Sequence, residues 1–248
     1  MRRFGVAQRP LHRQPAGRCR GWHATVILLS GAVIAVACGP VVSDEEPTGE
    51  PPEEPMMWSL PEPSTPEASS LEEAIAARRS VRDLDPRALT EAQVGQLLWA
   101  TQGVTDPSGL RATPSAGATY PLELYIVTAE RAARYVPANH ALVEHLDGDH
   151  RRAVTHAALD QGWMANAPLI VVFTAVEART AARYGDRAAR YVLIEIGHAA
   201  QNLLLQATAL DLAATPVGAF EAAALSRTLA LPDDHVPFYL MPVGYPAG

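Results

Sequence analysis

The sequence predicts an α+β domain. Two runs rich in β-branched and apolar residues, at 122–127 and 169–173, have the composition of buried strands. The segment from 187 to 210 carries apolar residues at helical spacing and becomes apolar on nearly all sides, which predicts a long central helix. Because helices and strands follow one another without a strict β-α-β alternation, we expect a mixed central sheet flanked by helices.

The folded domain is expected to span residues 71–248, a length sufficient to bury a hydrophobic core. Helices are predicted at 71–79, 90–102, 149–160, 187–210 and 221–229. Strands are predicted at 122–128, 134–137, 169–175, 213–217 and 237–243. The sequence contains no evident internal repeat, so a single domain is the expected arrangement.

The N-terminus has the pattern of an export signal. Residues 1–23 contain six arginines and no acidic residue, and residues 24–37 are uncharged and mostly apolar. Cys38 follows small residues, an arrangement that resembles the bacterial lipobox, in which that cysteine is lipidated. We therefore expect residues 1–37 to be removed, Cys38 to carry lipid, and the protein to lie outside the cytoplasm, anchored to a membrane. The alternative is an ordinary signal peptide with an incidental cysteine.

Composition excludes several function classes for the mature chain. The full sequence has two cysteines, Cys19 and Cys38. Removal of the signal would leave Cys38 alone, so the mature chain would have no internal disulfide and no cysteine metal site. Residues 38–70 are rich in Pro, Glu, Ser and Thr without a basic residue, which predicts an extended linker. After residue 37 there are 14 arginines against 27 acidic residues, a formal net charge of −13. This charge argues against nucleic acid as a partner.

Two loops carry the residues of a binding site. Residues 78–82 (RRSVR) place arginines on both sides of a serine at the end of a predicted helix. Guanidinium groups bind phosphate oxygens in pairs, and the hydroxyl adds a directional hydrogen bond. Residues 113–117 (TPSAG) form a turn whose glycine permits close approach of the backbone to a flat ring. The alternatives are an arginine cluster that pairs with Asp83 and Asp85, and a plain loop before a strand.

Four segments together resemble the nitroreductase superfamily. Residues 78–82 resemble its N-terminal FMN-phosphate motif, and residues 114–123 (PSAGATYPLE) resemble the second motif of the SagB-type dehydrogenases, which include azoline oxidases. The third and fourth matches are residues 190–202 and 215–220. The matches occur in the family's order and span nearly all of the predicted domain.

The resemblance implies a nitroreductase-like fold, a homodimer with FMN at the subunit interface, and hydride transfer through flavin N5. Residues 114–117 would line the flavin ring, and the backbone N–H groups of Val217 and Gly218 would lie near N5. The substrate would be a small molecule or a peptide. The implied cofactor-binding residues are Arg78, Ser80, Arg82, Pro114, Ser115, Ala116, Gly117, Gln201, Val217 and Gly218.

Arg190 and Tyr191 are the expected catalytic residues. The azoline oxidases that this chain resembles carry a Lys-Tyr pair here, whereas this sequence has arginine and contains no lysine. Arginine stays protonated in proteins, so Arg190 would orient substrate or stabilise negative charge rather than act as a base. Tyr191 is the candidate side chain for acting on substrate.

Other features qualify this interpretation. The histidines lack metal-ligand spacing, so no metal site is expected. Gly197, in the predicted central helix, suggests close packing against a second subunit or the flavin.

Many nitroreductases add a basic residue from the C-terminus to the phosphate site, but this chain has none after Arg227. Phosphate binding would then depend on Arg78 and Arg82, with Arg111 a further candidate. The alternative function is a tethered flavin- or ligand-binding module that has lost catalysis.

Overall fold

The computed structural model describes residues 55–64 and 70–248. The predicted signal peptide, the lipidation site at Cys38 and most of the 38–70 linker lie outside these residues. None of the helices within the described ranges is long and apolar enough to cross a membrane.

The strands of the described residues form one eight-stranded sheet in the order β1-β5-β4-β3-β6-β8-β2, and β7 also pairs with β8. The strands are β1 (Met57–Ser59), β2 (Leu84–Asp85), β3 (Leu122–Val127), β4 (Arg131–Val136), β5 (Ala141–Asp147), β6 (Leu169–Ala175), β7 (Ala213–Ala214) and β8 (Val236–Pro246). All of these strand pairs are antiparallel. Short links such as the one between β3 and β4 permit antiparallel pairing, whereas parallel neighbours need a long crossover.

Within the described ranges, six α-helices flank the sheet. They are α1 (Leu71–Ala77), α2 (Glu91–Gln102), α3 (Arg151–Ala157), α4 (Glu177–Tyr184), α5 (Ala188–Ala209) and α6 (Ala222–Thr228). The first two begin with capping boxes, in which Ser70 and Thr90 accept hydrogen bonds from backbone N–H groups three residues later. These caps fix the start of each helix.

Strand β6 is buried along its whole length because both faces of the sheet are covered. Its alternate residues enter two separate core clusters. On one face the cluster includes Leu97, Leu98, Phe173, Leu203 and Leu204, from β6, α2 and α5. On the other face it includes Val154, Met164, Ile170, Val172 and Leu225, from β6, α3, α6 and a short helical turn. The result is a sheet between two helical layers.

The structure confirms the α+β class and the long central helix α5. The sheet, which we expected to be mixed, is antiparallel in its named strand pairs and has a parallel contact at the isolated bridge between Ser80 and Ala214. Sequence analysis missed β1, β2, β5 and α4. The predicted central helix is one residue too long at each end, and the strand predicted at 134–137 lies at Arg131–Val136.

The prediction of an extended linker over residues 38–70 is wrong at β1, which pairs with β5 and forms the edge of the sheet. The backbone N–H of Leu60 donates to the carbonyl of His140 at 2.9 Å, and the Nε2 of His140 donates to the carbonyl of Pro61 at 3.0 Å. The hydroxyl of Tyr135 then donates to Nδ1 of the same ring at 2.8 Å. Gly95 leaves room for this segment, because a Cβ there would lie 3.3 Å from Leu60. Residues 57–61 therefore belong to the folded domain.

Replacing a core leucine of α5 should lower the free energy of unfolding substantially. Leu203 is fully buried, so Leu203→Ala should cost about 2–5 kcal/mol through lost contacts and the cavity left behind. Leu110→Ala is the matched control, because this leucine is 51% exposed and should change stability by less than about 0.5 kcal/mol. Urea denaturation measures both; equal effects would contradict the described packing.

Candidate functional site

The loop at 78–82 lies beside the segment that follows β7. Ser80 forms a parallel bridge with Ala214, and the hydroxyl of Thr215 donates to the carbonyl of Val81 at 2.7 Å. These contacts bring the predicted residues of the first and fourth segments together in one chain. We call Arg78, Ser80, Arg82, Val217 and Gly218 the cradle.

The cradle presents polar groups to the surface. Ser80, Arg82 and Gly218 are exposed, and Arg78 is half-buried at the end of α1. The guanidinium carbon of Arg82 lies 5.7 Å from the centre of the Trp163 ring. Exposed guanidinium and hydroxyl donors beside an aromatic ring suit a phosphate monoester attached to an organic group. Sequence analysis missed Trp163, because a lone tryptophan 81 positions from Arg82 gives no signal by spacing.

The expected role of the Val217 backbone is wrong in one respect. Its N–H donates to the carbonyl of Leu240 at 2.9 Å, and the N–H of Leu240 donates back at 3.0 Å. This pairing with β8 leaves the Val217 N–H unable to point at a flavin. Gly218 is exposed just beyond the pairing, so its N–H is the remaining candidate of the two.

The C-terminus of the chain runs next to the cradle. The N–H of Ala247 donates to the carbonyl of Asp83 at 3.0 Å, and β8 pairs with β2 up to Pro246. This is where a basic residue near the chain end would reach a phosphate. The printed residues after Arg227 include no lysine or arginine.

The loop at 114–117 belongs to a second cluster. The hydroxyl of Ser115 accepts from the N–H of Tyr120 at 2.9 Å, which closes the loop on itself. Gly117 has a φ of +60° and accepts from the guanidinium of Arg183 at 3.1 Å. The positive φ favours glycine, and a Cβ at Gly117 would lie 2.7 Å from the hydroxyl oxygen of Tyr184 and displace that side chain.

Tyr184 connects this loop to the predicted catalytic pair. Its ring meets the ring of Tyr191 edge-on, with centroids 4.9 Å apart. Tyr191 is half-buried and Arg190 is exposed at the start of α5. We call residues 114–117 with Tyr184, Arg190 and Tyr191 the loop cluster. Arg111 belongs here rather than to the cradle, because its guanidinium lies over the ring of Tyr120 at 4.4 Å.

The cradle and the loop cluster do not meet in one chain. Among residues 55–64 and 70–248, no hydrogen bond, ion pair or ring contact joins residues 78–82 to residues 114–117. Gln201 belongs to neither the cradle nor the loop cluster. It is exposed on α5, on the same helical face as Leu193 and Gly197. A Cβ at Gly197 would meet nothing within 4 Å, so packing inside this chain does not explain that glycine.

Glu195 is a buried acid that sequence analysis did not assign a role. Its side chain is 2% exposed, and its Oε1 has no hydrogen-bond partner among the described residues. Burial raises the pKa of Glu195 to about 7, although the hydroxyl of Ser115 and the charge of Arg111 act to lower it. The available signal was a carboxylate on the buried face of α5, next to Ile196 and one turn from Val192 and Ala199.

Other parts of the described chain offer less. A cavity of about 600 Å³ lies between β1, the loop before α2 and the end of β3, lined by Trp58, Leu89 and Ile126 among others. It includes none of the predicted site residues. Within the described ranges, no group of three or more His, Cys, Asp or Glu side chains could hold a metal ion.

Comparison with known proteins identifies the family. The profile of the nitroreductase family matches residues 75–245. A nitroreductase-family protein of Methanocaldococcus jannaschii is 40% identical over 184 residues, which cover 72% of this chain and 92% of that protein.

Solved structures have the same fold. A crystal structure of a nitroreductase-family protein from Ralstonia eutropha superposes with a TM-score of 0.71 at 25% identity, covering 81% of this chain and 96% of the other. The NADPH:FMN oxidoreductase of Vibrio harveyi, solved with NAD+, gives a TM-score of 0.55 at 22% identity, covering 72% and 69%. The second similarity concerns the fold alone.

Substitution of Gly117 should separate backbone strain from steric contact. Gly117→Ala places a Cβ 2.7 Å from the hydroxyl oxygen of Tyr184 at a φ of +60°, so it should cost roughly 1–2 kcal/mol of left-handed strain plus the displacement of that hydroxyl. The control is the same substitution in a Tyr184→Phe background, which lacks the hydroxyl and keeps the backbone strain. Urea denaturation should show a smaller loss in the Tyr184→Phe background; equal losses would contradict the contact of Tyr184 with this loop.

The stability of the protein should depend on pH through Glu195. Its pKa rises from an ordinary value of 4.5 to about 7 on folding, so the folded state binds the proton more tightly. That stabilisation is complete below pH 4.5 and is lost as pH rises to about 7, a change of about 3 kcal/mol. Glu195→Gln should therefore flatten the decline between pH 4.5 and 7.5, whereas the exposed control Glu177→Gln should follow the wild type. Parallel profiles for all three proteins would rule out a raised pKa at Glu195.

Proposed function

Since the chain belongs to the nitroreductase family, we propose that it is an FMN-dependent oxidoreductase of the SagB type. The observation that carries the proposal is the cradle, where exposed Arg82 and Ser80 lie beside Gly218 and the ring of Trp163. This donor set fits the phosphate of FMN. The SagB assignment is supported by residues 114–123 and by Tyr191 next to the same loop.

The roles of the residues follow from their positions. Arg78, Ser80 and Arg82 would hold the phosphate, and the backbone N–H of Gly218 would face the reactive edge of the ring. Bound FMN supplies the atom that takes up and releases hydride, so the protein contributes orientation and electrostatics.

The candidate catalytic pair would act on the substrate. Arg190 is exposed and permanently charged, so it would bind an anionic or polar substrate group rather than remove a proton. Tyr191 is held by the ring of Tyr184, which orients its hydroxyl group in the loop cluster. The proposed substrate is a small molecule or a peptide, as the family resemblance of the sequence implies.

The working form is proposed to be a homodimer. The cradle and the loop cluster share no hydrogen bond, ion pair or ring contact within the described residues, and the proposed site joins the cradle of one copy to the loop cluster of another. The exposed face of α5 suits such contact, because Leu193 and Ile194 are 57% and 45% exposed and Gly197 offers open space. Exposed large apolar side chains around a small residue are typical of an interface.

The proposed location is outside the cytoplasm, with lipid on Cys38 anchoring the protein to a bacterial membrane. The support is the sequence of residues 1–38. In that compartment a dehydrogenase or oxidase acting on an exported substrate, with oxygen or a quinone as acceptor, fits better than an enzyme that needs NAD(P)H. Recovery of the mature protein from the cytosol with residues 1–37 intact would contradict this location.

The second candidate is a membrane-tethered flavin- or ligand-binding module without catalysis. One observation favours it: position 190 carries an exposed arginine, which stays protonated and cannot act as a base. The two candidates differ in one measurable property. Without oxygen present, an enzyme should pass electrons from its reduced flavin to an added acceptor faster than free reduced FMN does, whereas a binding module should give no acceleration.

FMN binding tests the cradle directly. The purified protein should bind FMN at about one per chain, and Arg82→Ala should weaken binding about 10- to 100-fold, because a charge-assisted hydrogen bond is lost. Arg152→Ala is the control, since Arg152 is an exposed arginine of α3 outside the cradle. Quenching of FMN fluorescence measures the affinities. Equal affinities for the two variants would contradict phosphate binding at Arg82.

A further inference from the structure

A second polar cavity, of about 180 Å³, lies between the end of α2, β3 and β4. It is separate from the cradle and from residues 114–117. Polar or aromatic side chains line most of it, and Leu122 lines an apolar wall. The polar and aromatic residues are Gln102, Arg111, Glu123, Arg134 and Tyr135. A water molecule takes about 30 Å³ of liquid volume, so the space suits a molecule of a few non-hydrogen atoms.

Gln102 presents an unpaired donor to this cavity. The side chain is 1% exposed; its Oε1 accepts from Arg111 Nη1 at 3.0 Å, and its Nε2 has no acceptor among the described residues. Exchanging the amide oxygen and nitrogen of Gln102 by a 180° rotation would place Nε2 of Gln102 against Nη1 of Arg111, so that two donors would face each other. The orientation is therefore fixed, and a buried N–H group without an acceptor costs about 1–3 kcal/mol.

The cavity also carries excess positive charge. Arg111 takes part in none of the ion pairs within the described ranges. Glu123, on the cavity wall, is already occupied, because its two oxygens pair with Arg134 at 3.1 Å and Arg179 at 2.7 Å. Burial lowers the pKa of Arg111, and the charges of Glu123, Tyr120 and Glu195 do not offset that effect. The guanidinium of Arg111 therefore has no carboxylate at ion-pair distance among the described residues, although Glu123 and Glu195 act on it from further away.

We propose that this cavity binds a carboxylate group. One carboxylate oxygen would accept from Gln102 Nε2, and the guanidinium of Arg111 would bind the other and supply the missing charge partner. The hydroxyl of Tyr135 donates to His140, so it does not compete as a donor. The apolar wall at Leu122 and Leu124 would receive the carbon part of the ligand.

Acetate is the probe for this site. The melting temperature of the wild-type protein should rise saturably as sodium acetate replaces sodium chloride at constant ionic strength, because binding to the folded state alone stabilises it. Gln102→Met keeps the length of the side chain and removes the donor, so it should weaken the acetate response about tenfold. Arg227→Met, on exposed α6, is the control. A flat wild-type response would overturn the proposal and leave bound water as the partner of Gln102.

A second variant keeps the test independent of folding losses. Gln102→Glu places a fixed carboxylate beside Arg111, so it should raise the melting temperature without acetate and abolish the acetate response. A Gln102→Glu protein that still responds like the wild type would overturn the proposal, since the acetate would then bind elsewhere.

The size of the ligands that stabilise the protein distinguishes a free small anion from the carboxylate end of a larger molecule. N-acetylglycine carries the same group at the end of a longer molecule. If it stabilises the protein as acetate does, the cavity accepts the end of a larger molecule such as a peptide. If formate and acetate act and N-acetylglycine does not, the ligand is a free small anion.

Discussion

The burial of β6 on both faces is the constraint from which the rest of the structure follows. A strand with apolar residues at every position needs a helical layer on each side, and α2 with α5 and α3 with α6 supply them. The neighbours of β6 in the sheet then fix the functional residues. The loop at 114–117 leads into β3 on one side, and Val217 pairs with β8 on the other.

This arrangement explains why the two clusters are separate. Strands β3 and β8 lie on opposite sides of β6, so the strands next to the loop cluster and the cradle are two strand spacings, roughly 10 Å, apart. The residues of the two clusters lie in loops beyond these strands and share no hydrogen bond, ion pair or ring contact within the described part of the chain. The support for a second chain in the proposed site is the exposed apolar face of α5.

Sequence reasoning succeeded where the signal is local. The continuous apolar run predicted β6 with its observed bounds, and residues 78–82 and 215–218 were placed in one site by family resemblance and lie together in the structure. It failed where the outcome depends on distant partners. Strand β1 forms only because β5 offers an edge, and the N–H of Val217 is taken by Leu240. Glu195 and Gln102 are ordinary residues by pattern, and only their burial next to Arg111 gives them chemical interest.

The central claim is that the cradle of one chain and the loop cluster of another form the FMN site. Native mass spectrometry of the purified protein, mixed with FMN over a dilution series, tests it most directly. The account predicts that FMN is retained by the dimer, at two per dimer, and that monomers formed on dilution carry none. A monomer that retains FMN with the affinity of the dimer would contradict it.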